Sequence, residues 1–354
     1  MRSLAQRRSL RVMGLLALLG ALAPSALVLS HRANSEQPTP SLLSERIALG
    51  RQLFNDPHLS ADGSIRCASC HIPEKSYMDG RRVAVGVFGK KGTRNTPSVA
   101  ALAASQDDTF FWDGRRSALD QAVLDPLTNP EEMGLRDQAD MLHRVVSNSA
   151  YREEFARAFS NADTNVTSQE VATALADYVR SLKQPESAYD RFALHGDTSA
   201  LSPRAQLGLA IFKSKGHCAD CHLLQGDPPM LTDHGYHRTG VGLDAISQNL
   251  PELTQGVIAR SLQGGDIGNR VAAHVDEAQL GRFNATQNPA DIGLFRTPSL
   301  RGVASTAPYM HDGSIATLDD AIDREVYYRS LQSGHPLQLT VQERAELKAF
   351  LQTL

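Results

Sequence analysis

Where this chain shows a regular pattern, its apolar residues recur at helical spacing. Val171, Leu175, Tyr178 and Leu182 follow Thr167-x-x-Glu170, a capping box, and predict an amphipathic helix. Thr340-x-x-Glu343 repeats the device ahead of Leu347, Phe350 and Leu351 and predicts a last helix. Ser202-Pro203 supplies an N-cap and a proline at the first helical position, with Leu207 and Ile211 as the apolar residues that follow. No segment keeps the apolar/polar alternation of a half-buried strand. Residues 77–92 and 225–293 are rich in Gly, Pro and polar side chains and are expected to be long loops packed around a functional centre. The expected class is mostly α.

The pattern repeats along the chain. Leu49-Gly50-Arg51-Gln52-Leu53-Phe54 has a counterpart in Leu207-Gly208-Leu209-Ala210-Ile211-Phe212. Arg94-Asn95-Thr96-Pro97-Ser98-Val99 leads to Trp112-Asp113-Gly114, just as Arg296-Thr297-Pro298-Ser299-Leu300 leads to His311-Asp312-Gly313. Landmarks kept in one order predict two copies of one module, at 41–190 and 191–354, that meet between about residues 183 and 202. Ahead of them, Arg2, Arg7, Arg8 and Arg11 precede an uncharged apolar run from Val12 to Leu29, so residues 1–30 read as a secretory signal peptide. An uncleaved membrane anchor is the alternative, because Leu27-Val28-Leu29 continues past the small residues Ala21 and Ala23. Residues 31–40 are polar, contain proline and read as a tether.

Charge narrows the function little: Lys+Arg number 36 against Asp+Glu 39, a balance that does not suggest a nucleic-acid partner. Cysteine narrows it sharply. All 4 cysteines fall in two copies of one motif, Cys67-Ala68-Ser69-Cys70-His71 and Cys218-Ala219-Asp220-Cys221-His222. CxxCH is the c-type haem attachment motif. Two thiols at that spacing add to the two vinyl groups of one haem, and the adjacent histidine reaches the iron. A four-cysteine zinc site or a pair of redox disulfides would use the thiols but gives no reason for a histidine after each pair. The reading is two covalently bound haem c, with His71 and His222 as iron ligands, in an exported protein expected in the periplasm.

In order, the first CxxCH, Arg94-Asn95-Thr96-Pro97, Phe111-Trp112-Asp113-Gly114-Arg115, Asn129-Pro130-Glu131-Glu132-Met133, the second CxxCH and Arg296-Thr297-Pro298-Ser299-Leu300-Arg301 resemble the bacterial di-haem cytochrome c peroxidases and their MauG-type relatives. The resemblance covers nearly everything after the tether. It implies two cytochrome c-like modules, the first peroxidatic and the second for electron transfer. Hydrogen peroxide must lose a proton on one oxygen and gain it on the other, so an acid/base group is needed over an open iron. The resemblance gives that role to Glu132, with Pro126 lining the same face. The family's glutamine four positions before that proline is Ala122 here, with Gln121 one residue off, so no role is carried over. Where the peroxidases have a resting-state histidine ligand, this chain has Val87, which implies an iron open without activation; a swing of His58 onto the iron is the alternative. Trp112 is implied to relay electrons between the haems.

Over the second haem the order of candidates is Tyr327, then Tyr328, Glu325 and Met310. A calcium ion between the modules is implied at Asn95, Thr306 and Pro308. The function expected is reduction of hydrogen peroxide with electrons from a small cytochrome c or copper protein. Its alternative is a MauG-type enzyme that uses a peroxide-derived high-valent haem to oxidise side chains of a partner protein. A non-enzymatic electron-transfer cytochrome is the second alternative, in which Glu132 has no purpose. Contact with a membrane is expected only if residues 1–30 stay attached.

Overall fold

The computed structural model describes residues 39–102, 109–160, 165–264 and 267–354. Residues 1–30 and the tether up to residue 38 lie outside the described residues. Among the described residues no helix is long and apolar enough to cross a membrane.

Two helix pairs organise the chain, and both are built the same way. Pro40–Asn55 crosses Ser168–Ser181, and Pro203–Lys213 crosses Val341–Leu351. At each crossing a glycine lets the backbones touch. A Cβ on Gly50 would overlap the Ala174 carbonyl and the Tyr178 side chain, and one on Gly208 would overlap the Glu346 carbonyl and Phe350. Both expected capping boxes form, Thr167 with Glu170 and Thr340 with Glu343, and Ser202 caps its helix by accepting from the Ala205 amide at 3.2 Å.

The apolar faces of these helices feed separate cores. One gathers Leu49, Leu53, Phe54, Met141, Val171, Leu175 and Val179; the other gathers Tyr189, Leu209, Phe212, Leu347, Phe350 and Leu351. The helix Ala188–His195 belongs to the second, where the buried Asp190 carboxylate holds Arg301 through contacts of 2.5 and 3.1 Å. Leu207 corrects the expectation for its helix. It is 53% exposed, whereas Leu209, Ile211 and Phe212 are buried, because this helix turns the 208/209/212 side to its partner.

Two further corrections concern the stretch expected to be loop. Residues 225–293 contain the helix Leu250–Leu262 and shorter helical pieces around a small core of Ile246, Val257, Leu280 and Phe283. Strand structure is also present: β1 (Tyr236–Arg238) pairs antiparallel with β2 (Leu294–Arg296), three residues each, too short to show an alternation in sequence.

The two copies exchange backbone contacts. The Asn95 amide donates to the His311 carbonyl at 2.8 Å, and the Arg296 amide donates to the Trp112 carbonyl at 2.8 Å. Each copy's Thr-Pro arm thus pairs with the other's Asp-Gly turn. The turns match in detail: Phe111 and Met310 both have left-handed backbone, φ +69° and +71°, inside the bridges Phe110–Arg116 and Tyr309–Ile315.

Candidate functional site

Each CxxCH motif forms a tight helical turn that ends on its histidine. The His71 amide donates to the Cys67 carbonyl and the His222 amide to the Cys218 carbonyl, both at 2.9 Å. The turn puts the cysteines of each pair on one side, three residues apart. Burial pushes the thiols of Cys67, Cys70 and Cys218 up to about 12. Both imidazoles are fixed through Nδ1, His71 on the Tyr77 carbonyl at 3.0 Å and His222 on the Leu231 carbonyl at 2.9 Å. Burial also keeps both rings neutral by lowering their pKa. A neutral ring anchored at Nδ1 offers its Nε2 lone pair to a metal.

These features fit haem. So does Arg94, which burial lowers to about 10 and whose Nε, Nη1 and Nη2 all lack a hydrogen-bond partner. Its nearest carboxylate is Asp113 at 3.8 Å. A buried cation with three open donors suits a cofactor that carries carboxylates, as haem does through its propionates. Without haem, the one cluster among the described residues able to hold a metal ion is Cys221, Asp233 and His237, which shares a thiol with the second motif.

Glu132 lies in the neighbourhood of the first cysteine pair. Its charge raises both the Cys67 and the Cys70 thiols, so the carboxyl sits within electrostatic reach of them. Asn129 Nδ2 donates to Glu132 Oε1 at 3.1 Å, while Asn129 Oδ1 accepts from the Glu131 amide at 3.0 Å, which aims the loop. Burial pushes the Glu132 carboxyl up, opposed by Arg115 and reinforced by Asp125. Val87 is 1% exposed and packs beside it, its amide donating to the Glu132 carbonyl at 2.8 Å. Gly86 is obligatory there, because a Cβ would overlap the backbone of Glu131 and Glu132. Pro126 joins the same loop, its carbonyl accepting from the Met133 amide at 3.0 Å. Gln121 points outward, and Ala122 is buried. His58 is 88% exposed and paired with Asp56 at 2.9 Å, turned to solvent rather than towards His71.

Trp112 stands at the exchanged contacts between the copies, its Nε1 donating to the Asn95 carbonyl at 2.9 Å. Asn95 is 1% exposed and also donates from Nδ2 to the Arg81 carbonyl at 2.9 Å. Thr306 and Pro308, half-buried, lie a few residues before His311, whose carbonyl accepts from the Asn95 amide.

Around the second pair the structure separates the candidates. Glu325 raises the Cys218 and Cys221 thiols, and burial pushes its own carboxyl up against the pull of Arg329, 3.7 Å away. Tyr327, placed first by sequence, lies about 200° further round the same helix. It is 56% exposed and lines a surface groove with Ile315, Asp320 and Asp323. Tyr328 packs its hydroxyl end against Gly240, with Arg324 over its ring at 5.4 Å. Met310 occupies the left-handed position of its turn and is half-buried.

Sequence reading passed over Arg94 and Arg115 although both lie in quoted motifs, since nothing local shows that a guanidinium will be buried. His237, held to Asp233 at 2.7 Å beside Glu325, left no sequence signal at all.

A family model described as "Di-haem cytochrome c peroxidase" matches residues 44–199. The chain is 32% identical to methylamine utilization protein MauG of Methylorubrum extorquens over 338 residues, 93% of this chain and 84% of that one. It is 31% identical to cytochrome c551 peroxidase of Nitrosomonas europaea over 322 residues, 90% and 84% of the two chains. Among solved structures, a MauG-like protein associated with microbial copper homeostasis superposes with a TM-score of 0.69 at 31% identity, covering 88% of this chain and 89% of that one.

Proposed function

This chain belongs to the di-haem cytochrome c peroxidase and MauG family, and from that premise we propose that it reduces hydrogen peroxide at the haem held by Cys67, Cys70 and His71, the second haem being held by Cys218, Cys221 and His222. The observation that carries the reading is Glu132, a half-buried carboxyl within electrostatic reach of the first cysteine pair and with its own hydrogen-bonded support.

Haem, when bound, supplies the electron chemistry at iron. The protein handles the protons. Glu132 takes the proton of the peroxide oxygen nearer the iron and returns it to the departing oxygen, which leaves as water. Burial limits access of bulk water to that proton, and Asn129 keeps Oε1 in one orientation. Val87 carries no side-chain atom that could ligate iron, so it would not compete with peroxide at the first haem. Pro126 holds the loop that carries Glu132 through its carbonyl. Trp112, hydrogen-bonded across the contact between the copies, is the relay towards the second haem. Glu325, coupled to the second cysteine pair, would be the residue that offers the second haem an oxygen ligand, and a carboxylate oxygen would favour the oxidised metal. A calcium ion held by Asn95, Thr306 and Pro308 is proposed at the same contact, where oxygen donors suit a hard cation. Electrons come from a small cytochrome c or copper protein, and the site of action is the periplasm.

A second reading is favoured by Val87: with the first site open at rest, the oxidising equivalents can be spent on a side chain of a partner protein, as in a MauG-type enzyme. Rapid mixing of the di-haem protein with peroxide tests the common core of both. Glu132→Gln should slow the first spectral change by about 10² to 10⁴ while both haems stay attached. A wild-type rate in that variant removes the role of Glu132. Turnover of a reduced small cytochrome c by the wild type supports the peroxidase reading; consumption of peroxide only with a protein that emerges covalently altered favours the second.

A further inference from the structure

Trp112 and His311 hold the same position in the repeat, each directly before its copy's Asp-Gly turn. The same backbone bond fixes both: each carbonyl accepts at 2.8 Å from an amide of the opposite arm, Arg296 for Trp112 and Asn95 for His311. Their rings are held differently. Trp112 Nε1 donates to the Asn95 carbonyl at 2.9 Å, so the indole is tied to the residue that is itself tied to His311. The buried His311 ring lies nearly parallel to the Phe295 ring, 10° between planes and 3.5 Å between centroids. Its Nε2 donates to Gln279 Oε1 at 2.6 Å. Gln279 is buried and seated on Gly242, where a Cβ would overlap Oε1. Phe295 also carries the Arg94 guanidinium over its ring at 4.9 Å. Arg94 precedes Asn95, and Phe295 precedes Arg296 within β2, so the two side chains that meet here flank the two residues bonded to Trp112.

We propose that the column formed by Arg94, Phe295 and His311, with Gln279 at its end, is the clamp that sets the position and orientation of Trp112 at the join of the two copies. The proposal deepens the relay role given to Trp112 above and rests on it. Phe295, His311 and Gln279 act through Trp112 and are positioning residues. Both hydrogen bonds of Trp112 end on backbone atoms, the Asn95 carbonyl and the Arg296 amide. Side-chain identity at Asn95 and Arg296 therefore does not make these bonds; the placing of the two arms does. Ring stacking and a cation over a ring both require a narrow range of geometry, and here they lock one arm to the other. The bond from His311 to Gln279 stops the imidazole from sliding along Phe295, and a buried ring nitrogen that lost this acceptor would be driven to find another. A shift of either arm moves the indole, because each arm holds it by one bond.

The chain has a single tryptophan, so ultraviolet resonance Raman spectroscopy of the di-haem protein reports Trp112 alone. In Phe295→Leu the band of the hydrogen-bonded indole N–H should shift towards its free position, and the band that follows rotation of the ring about its bond to Cβ should move with it. Gln279→Met keeps the length of the side chain, removes the acceptor for His311 and should shift both bands the same way; it also serves if Phe295→Leu does not fold. Gln279→Glu keeps an acceptor oxygen and should return the wild-type bands. Rapid mixing with peroxide gives the second readout. In Phe295→Leu and Gln279→Met the first spectral change should keep its wild-type rate, while the share of oxidation that reaches the second haem falls. Unmoved indole bands in a folded variant with both haems attached overturn the proposal. A Trp112→Phe protein that still shares oxidation between the haems instead overturns the relay reading, whatever the indole bands of the other variants show.

Discussion

Glu325 and Tyr327 stand two residues apart on the helix Leu318–Ser333 and meet different surroundings. Glu325 is coupled to the second cysteine pair and to Arg329, whereas Tyr327 lines a surface groove. Glu325→Gln should therefore change the absorption and electron paramagnetic resonance signature of the second haem and raise its potential, because an anionic oxygen is replaced by a neutral amide. Tyr327→Phe should leave both unchanged. Spectra and a potentiometric titration of the two variants decide it, and a shift with Tyr327→Phe alone would return the role to the tyrosine.

Helix pairing sets the next scale, and its weak points are single positions. Gly208 touches the Glu346 carbonyl, so even alanine must push the Pro203–Lys213 and Val341–Leu351 helices apart. Overpacking of this kind typically costs about 1–3 kcal/mol. The adjacent Leu207 is 53% exposed, and Leu207→Ala should fall within about 0.5 kcal/mol of the wild type. Denaturant unfolding followed by haem absorbance compares them. The reverse order would mean that the two helices do not cross at Gly208. Gly50 plays the same part against Ala174, so the helix crossing is a property of the repeated unit.

For the whole molecule, the decisive feature is that the two copies are joined by exchanged contacts, Asn95 to His311 and Arg296 to Trp112. Trp112 sits at that join and touches Asn95 directly. Each copy still carries its own complete attachment turn, with its histidine anchored inside the same copy. Protein produced with a haem-attachment system should thus retain two haems after acid acetone extraction. Replacing Cys218 and Cys221 by alanine should leave one, because thioether bonds do not dissociate as coordinate bonds do. Loss of both haems in that variant would show that the attachment turns are not independent.

Sequence alone determined what is local. Capping boxes at Thr167 and Thr340, the two CxxCH turns and the order of the repeated landmarks depend on residues within a few positions of one another, so they can be seen without the fold. Helices within 225–293 were hidden because Gly, Pro and polar residues mask Ile246, Leu250, Leu253 and Val257, whose spacing is helical. β1 and β2 were hidden because three residues carry no period. Leu207 read as a core residue, since a helix pattern shows that a face exists but not which side its partner occupies. The tertiary structure decided that, and it decided the charges. Arg94, the Asp113–Arg115 turn and Glu132 lie in separate segments, and the fold brings Arg94 within reach of Asp113 and Arg115, and Glu132 within reach of Arg115, where close charges interact strongly because water is partly excluded.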